Sequence, residues 1–416
     1  MRVLLVNKFH YHRDGVTTHY FLLDELLRRH GHEVAYFAAN HPQTVRNVWQ
    51  QHFPEYVDLN ALYTLGGKLR VFGRMLYNRQ ARACLRKLLY GFHPDIAHLH
   101  NIYYHLTPSI IDALTHAGVP IVMTLHDYQL ISPNYTLFLN GTVWERTRPH
   151  RYWRCLTERA VKHSYLKSFA AMCESYLQWL TNAYGGVSLF IAPSAFVKEK
   201  FLSYGFRGRM TVLPNPLPAA LLARPIAPQA KRGSYLLYYG RLAPEKGVDV
   251  LVKALASQRG VSLNIAGEGP ERATLETLAQ RLGVRERISF LGFLSHQALQ
   301  PIIEASRAVV VPSVWYENFP YAVLESMAYG KLVIASRIGG IPEIITHGAT
   351  GLLFEPGNVE ELSQLIGGID DETVTHIGGA ARERVRDFAP EVFYEKLMAL
   401  YGSVIQKTPP RQTVTR

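Results

Sequence analysis

Residues 1–37, MRVLLVNKFHYHRDGVTTHYFLLDELLRRHGHEVAYF, carry the reading that decides the fold. Arg2–Val6 is a short apolar run with a polar loop after it, the pattern of a buried strand. Asn7–Gly15 is that loop. Thr17–Arg29 has helical periodicity, with Leu22, Leu23, Leu26 and Leu27 on one side, and Gly31 is a stop signal. Glu33–Phe37 is a second strand. Strand, loop, helix and strand at this spacing make a βαβ unit, which requires a parallel sheet covered by helices.

The same unit recurs at residues 235–265, YLLYYGRLAPEKGVDVLVKALASQRGVSLNI. Tyr235–Tyr239 reads as a strand, Gly240–Gly247 as a loop, Val248–Ala256 as a helix and Ser262–Ile265 as a strand. Gly15 and Gly247 take matching places in the two copies. Each half therefore starts its own doubly wound sheet. The Pro-rich stretch Leu213–Pro228 lies between them and reads as a linker, with Pro214, Pro216, Pro218, Pro225 and Pro228. The expected organisation is α/β: two Rossmann-like parallel-sheet domains, 1–216 and 217–389, facing a cleft. A last helix, Pro390–Ile405, and a frayed tail, Gln406–Arg416, make up 390–416.

Composition agrees with a two-domain globular chain. The 416 residues are 48% hydrophobic and 19% charged, which excludes a disordered or fibrous chain. The three cysteines, Cys84, Cys155 and Cys173, form no CxxC pair, so neither a disulfide framework nor a cysteine zinc site is expected. The N-terminus lacks the pattern of a signal peptide, and no apolar run reaches the length of a membrane span. A reducing cytoplasm is the expected compartment. Residues 1–216 carry 24 Lys and Arg against 13 Asp and Glu, a net +11, whereas residues 217–416 carry 21 against 20, a net +1. A basic first half points to an anionic partner.

Three segments carry chemistry. In 309–330, VVVPSVWYENFPYAVLESMAYG, a strand Val309–Pro312 leads into a loop, and a helix starts near Pro320, a favoured first helical residue. Glu317 lies on the loop and Glu325 in the helix, with seven residues between them. Asn318 and Phe319 sit at the helix mouth, where free N–H groups favour an anion. Glu325 is placed to hold a diol; two solvated glutamates on a surface loop are the plainer reading. In Gly240–Gly247, GRLAPEKG, Arg241 and Lys246 can clamp a diphosphate, or Glu245 and Lys246 can form a local pair on an exposed turn. In Ala266–Pro270, AGEGP, Gly267 and Gly269 begin a dinucleotide fingerprint, but Arg272 stands where its third glycine belongs. A tight turn near a ligand is the better reading than an NAD site.

Together these segments resemble the GT-B glycosyltransferases, specifically the large retaining family 4 (group 1) type that uses nucleotide-sugars. The family's E-x7-E signature matches Glu317 and Glu325. Its G-R-x-x-x-x-K-G loop matches Gly240, Arg241, Lys246 and Gly247, its G-x-G-P turn Gly267–Pro270, and its GGIPE motif Gly339–Glu343. In the first half, Pro94–Asn101, Thr124–Leu130, Ile191–Phe201 and Val212–Pro216 look like acceptor-domain landmarks. The resemblance spans roughly residues 1–400. It implies a GT-B fold whose C-terminal helix returns towards the N-terminal domain. It also implies sugar transfer from a nucleotide-sugar with retention, by front-face displacement with the leaving phosphate helping to take the acceptor proton.

By the same resemblance, His126, Arg241, Lys246 and Glu317 are catalytic. Gly15, Arg241, Lys246, Gly267, Asn318, Phe319, Pro320 and Glu325 bind the donor. His126 would hydrogen-bond a sugar hydroxyl; the plainer reading is a strand-end histidine satisfied by Asp127. The backbone around Phe290–Ser295 is a candidate for the nucleotide base. No metal and no cofactor are expected. Two departures stand out. Asp14 precedes Gly15 where the family has paired glycines. Ser132, Trp144, Thr147 and Ala160 stand where a subset of relatives carries cysteines.

Two basic stretches, Lys68–Lys87 and Arg146–Lys167, are interleaved with apolar residues. Each reads either as a solvated helix face or as a surface for an anionic membrane, which would place the protein peripherally on the membrane's inner face. The expected partners are a nucleotide-sugar donor and a glycan or lipid-linked acceptor of cell-surface polysaccharide synthesis. A GT-B-fold nucleotide-sugar epimerase or a phosphorylase is the alternative. A nucleic-acid-binding protein is the weaker alternative, and no nucleic-acid partner is expected, because the basic half has no clustered aromatic strand or zinc pattern.

Overall fold

The computed structural model describes residues 1–58, 61, 64–224 and 235–407. Pro225 and Pro228 of the expected linker, and most of the expected tail, lie outside the described residues. The chain forms two compact units. One comprises Met1–Thr136, Glu145–Pro216 and Glu391–Arg416; the other comprises Leu137–Trp144 and Leu217–Pro390. Residues 137–144, read from sequence as part of the first domain, thus group with the second.

The strands in chain order are β1 (Arg2–Val6), β2 (Glu33–Phe37), β3 (Ile96–Leu99), β4 (Ile121–Thr124), β5 (Phe138–Leu139), β6 (Thr142–Val143), β7 (Leu189–Ala192) and β8 (Met210–Val212). They are followed by β9 (Tyr235–Tyr239), β10 (Ser262–Ala266), β11 (Ile288–Gly292), β12 (Ala308–Val311), β13 (Leu332–Ser336) and β14 (Leu352–Phe354). The first unit holds a sheet of order β2-β1-β3-β4-β7-β8, and the second a sheet of order β11-β10-β9-β12-β13-β14. Every pairing within both sheets is parallel. Strands β5 and β6 form a separate antiparallel hairpin.

Both sheets are buried on their two faces, so their strands are near-continuous apolar runs: β3, β4, β7, β12 and β13 are buried along their whole length. Strand order reverses between β1 and β3 in the first unit and between β9 and β12 in the second. In such sheets, ligands bind at the carboxyl ends of strands at the reversal point. Those two places hold the segments singled out above.

The helices of the first unit are α1 (Gly15–Arg29), α2 (Leu65–Leu76), α3 (Arg79–Phe92), α4 (Ser109–His116), α5 (Trp153–Thr157), α6 (Tyr165–Leu180) and α7 (Ala195–Ser203). Helix α1 buries Tyr20, Leu23, Leu26 and Leu27. The helix Pro390–Ile405 returns to this unit. Tyr394 stacks on His30 and bonds His32 at 2.7 Å, and Tyr401 bonds His98 at 2.6 Å. Among the described residues, no helix is long and apolar enough to cross a membrane.

Candidate active site

The second unit's site is built by packing backbone against backbone. The loop Gly240–Gly247 follows β9, and the turn Gly267–Pro270 follows β10. Gly240 N–H donates to Ala266 O at 3.0 Å, and Leu242 N–H to Glu268 O at 2.9 Å. A Cβ on Gly267, whose φ is +152°, would lie 1.9 Å from Gly240 O, so no larger residue fits. The GEG turn is therefore a spacer that presses two loops together.

After β12 the chain turns through Ser313 to Phe319. Gly340 N–H donates to Glu317 O at 2.7 Å, and a Cβ on Gly339 (φ +61°) would lie 2.1 Å from that oxygen. The Gly339–Glu343 motif thus holds the backbone of Glu317. The Glu317 carboxylate is 6% exposed and accepts from Lys246 Nζ at 2.7 Å and from Ser313 Oγ at 2.6 Å. Burial alone would raise its pKa. The charge and hydrogen bond of Lys246 and the bond from Ser313 outweigh burial and hold it below the usual carboxylate range. Lys246 also lies 5.0 Å from the centre of the Trp315 ring. Arg241 pairs with Glu245, four residues on, and its side chain is 57% exposed. The alternative of a local Glu245–Lys246 pair is not what forms: each cation of the loop has a different partner, and Lys246 joins two of the sequence motifs.

The helix Tyr321–Ala328 starts one residue later than expected, with Pro320 at the N-cap position. Phe319 is buried in the core, its ring 5.3 Å from that of Phe388. Its side chain anchors the loop, leaving only its backbone for a ligand. Asn318 is partly buried beside it. Glu325 is partly buried in the helix, and burial raises its pKa to about 7 against a hydrogen bond from Tyr239. Its carboxylate thus lies beside the strand-reversal point between β9 and β12. The segment Phe290–Ser295 closes β11. There Gly292 O accepts from Gly267 N–H at 2.8 Å, and Phe293 is 79% exposed.

In the first unit, His126 follows β4, and His98 and His100 lie on and after β3. His126 Nε2 meets His100 Nδ1 at 2.9 Å, and His19 of α1 lies 5.1 Å from His126 ring to ring. Asp127, which the plainer reading paired with His126, bonds Tyr103, Asn101 and the N–H of Gln129. Burial pushes His19 down to about 4 and His98 to about 3, and drives His100 and His126 well below the usual imidazole range, so the cluster is neutral at pH 7. Nitrogens of His19, His100 and His126 lie within 4.8 Å of one another, and neutral imidazoles suit a zinc-type ion. Within the cluster His126 bonds His100, and His19 bonds Asn215.

Gly15 opens α1 and is exposed. Asp14 before it is the N-cap: its carboxylate accepts from Thr17 N–H at 3.1 Å, and Thr17 Oγ1 accepts from Asp14 N–H at 2.9 Å. Asp14 therefore fills the anion position at this helix end itself. Ser132 and Thr147, at positions where some relatives carry cysteines, share a buried 3.0 Å hydroxyl bond. Lys8 was missed from sequence. It follows β1 directly, donates its N–H to Asn101 O at 2.7 Å, and its ammonium lies 3.9 Å from the centre of the Tyr103 ring. Burial brings it down to about 8 against the charges of Asp127 and Asp14. The signal was available: a lysine at the carboxyl end of a first parallel strand.

The glycosyltransferase family 4 profile matches residues 13–220, half of the chain, and the glycosyl transferases group 1 profile matches residues 223–382. The chain belongs to glycosyltransferase family 4. An uncharacterised glycosyltransferase of Methanocaldococcus jannaschii is 38% identical over 131 residues, 31% of this chain and 33% of that protein. The glycosyltransferase YqgM of Bacillus subtilis is 29% identical over 298 residues, 70% of this chain and 73% of YqgM. The match thus spans a third of the archaeal relative and about three quarters of the bacterial one. Among solved structures, sucrose-phosphate synthase of Thermosynechococcus elongatus superposes with a TM-score of 0.71 at 19% identity, over 97% of this chain and 99% of that one. Anabaena HepE in complex with UDP and glucose gives 0.68 at 20%, over 97% and 100%. At these identities the structures establish the GT-B fold.

Proposed function

We propose that this family 4 chain transfers a sugar from a nucleotide-sugar to an acceptor with retention of anomeric configuration, without a catalytic metal. The observation that carries the reading is the Lys246–Glu317 pair, which joins two family motifs at the carboxyl ends of β9 and β12, with two more packed against them through the backbone. Lys246 and Arg241 would meet the charge that develops on the departing diphosphate. Ionised Glu325 would accept from the two ribose hydroxyls, and Glu317 would contact the donor sugar. Gly267 and the backbone of Asn318 and Phe319 would shape the diphosphate's seat. In the first unit, neutral His126 would hydrogen-bond a sugar hydroxyl. The acceptor proton would pass to the leaving phosphate. A glycan or lipid-linked glycan of a cell-surface polysaccharide is the proposed acceptor, and the cytoplasm the proposed compartment.

Turnover of a nucleotide-sugar panel in excess EDTA tests this reading. UDP-sugars come first, because HepE structures hold UDP and UDP-glucose. Release of nucleoside diphosphate that persists in EDTA is expected. Release that stops with EDTA and returns with Mg²⁺ or Mn²⁺ would refute the metal-free mechanism. Recovery with Zn²⁺ alone would give the metal role to His19, His100 and His126.

A further inference from the structure

Helix α6 is inside out. Its buried face is Ser168, Ala171, Glu174, Ser175 and Gln178, with Gln178 Nε2 donating to Glu174 Oε1 at 3.0 Å. Its outward stripe is Leu166, Phe169, Leu177 and Leu180, flanked by Tyr165, with Leu166 69% and Leu180 72% exposed. On a helical projection the two sets lie on opposite sides. A helix that faces only water and its own core puts the apolar set inward. Helix α3 does so: Ala81, Leu85, Leu88, Leu89 and Phe92 are buried, while Arg79, Arg86 and Lys87 point to solvent. The cations of α3 thus read as a solvated face, and α6 does not.

The surroundings of the stripe are basic. Residues 146–167 carry seven Lys and Arg against one acid, Glu158, which Arg146 already neutralises at 3.3 Å. Cations lie over aromatic rings there: Arg154 is 5.0 Å from the ring centre of half-exposed Trp153, and Arg159 is 5.4 Å from that of Tyr165. The turn into α6 holds Arg159, Lys162 and His163 at positive φ, a costly conformation for three non-glycine residues. Apolar and aromatic side chains amid cations fit the interface of an anionic bilayer. A second copy fits worse, since a two-fold pair would set this basic patch against itself.

We propose that the outward face of α6, with Trp153 and the cations of residues 146–167, docks the protein on an anionic lipid bilayer. The docking needs no donor, so it stands or falls apart from the transfer reaction. The test is co-sedimentation of the full chain with phosphatidylglycerol-containing vesicles and with neutral phosphatidylcholine vesicles. Three proteins are compared: wild type, Leu166→Ser/Phe169→Ser/Leu180→Ser, and Arg79→Gln/Arg86→Gln/Lys87→Gln. Thermal melts confirm that each is folded. Wild type and the α3 variant should pellet with anionic vesicles only, and the α6 variant should lose at least about tenfold in partitioning. A charge change of each Lys or Arg near the bilayer is worth about fivefold, so an equal loss in the α3 variant would move the contact to that helix and overturn the proposal. Equal binding to both vesicle types would overturn its electrostatic part. Wild type that stays in solution, and whose dimer by light scattering is broken by the α6 variant, would show that a second copy covers the face.

Discussion

Lys246 is the side chain on which the donor-site account turns, because its partner is not the local glutamate but Glu317, 71 residues away. In the resting site the pair is neutral. A diphosphate would draw the ammonium towards its own charge, and Glu317 would be left to a sugar hydroxyl. Lys246→Ala is expected to lower kcat/KM by about 100-fold or more, the size of one transition-state contact. Arg241→Ala should act in the same direction. Glu317→Gln should lower kcat more than it weakens nucleotide binding, because its proposed partner is the sugar. Steady-state kinetics with matched nucleotide titrations check all three, and an unchanged kcat in Lys246→Ala would remove that residue from the reaction. The motif spacing placed Glu317, Glu325, Arg241 and Lys246 at one sheet end. It could not show who pairs with whom, since the Lys246–Glu317 contact depends on β9 and β12 lying side by side.

At the scale of elements, the sequence reading is sharpest where one signal decides. Arg2–Val6, Glu33–Phe37 and Tyr235–Tyr239 are strands with the expected ends, and Val248–Ala256 is a helix with the expected ends. Each is an apolar run or apolar period bounded by glycine or polar residues. The reading fails where distant residues decide. Phe319 reads as a donor contact by its motif, yet the core claims its ring. The hairpin of β5 and β6 groups with the second unit, for reasons no local pattern carries. Helix α6 has its polar side buried, which periodicity alone would turn the other way. The glycine motifs, read as room for a ligand, are also room for a neighbouring loop. Gly267→Ala tests that. Strain at its φ costs about 1–3 kcal/mol, before any clash with Gly240 O is counted. A melt lower by several degrees and weakened nucleotide binding are expected; a melt equal to wild type would show that the two loops do not depend on their close packing.

For the whole molecule, the histidines set an acid limit. Burial pushes His10 and His19 to about 4 and His98 and His105 to about 3 in the fold, against about 6.5 when unfolded. Below pH 6.5 the unfolded chain therefore binds more protons than the folded one. Stability is fully present above that pH and is lost as pH falls towards 3 to 4. Each such histidine adds a slope of up to about 1.4 kcal/mol per pH unit. All four belong to the first unit. Thermal melts from pH 7 to 4 should fall steeply, and a flat profile over that range would mean these imidazoles are not buried as described. Glu174 acts the other way: burial raises it to about 8, so its contribution is largest at acid pH and declines as pH rises from the unfolded carboxylate range to about 8.

The central claim is that the carboxyl ends of β9 and β12 hold the nucleotide of a sugar donor, with Glu325 on the ribose. It is tested most directly by nucleoside diphosphate affinity, measured by titration calorimetry from pH 8 to 5.5 for wild type and Glu325→Gln. Because burial raises Glu325 to about 7 and its ionised form would accept from the diol, wild-type affinity should fall as pH drops through that value, by up to about tenfold per unit. Glu325→Gln should bind at least about tenfold more weakly at pH 8, the worth of one charge-assisted hydrogen bond, and should lose the part of the pH dependence that the nucleotide's own titration does not explain. A variant that binds like wild type across the whole range would contradict the account.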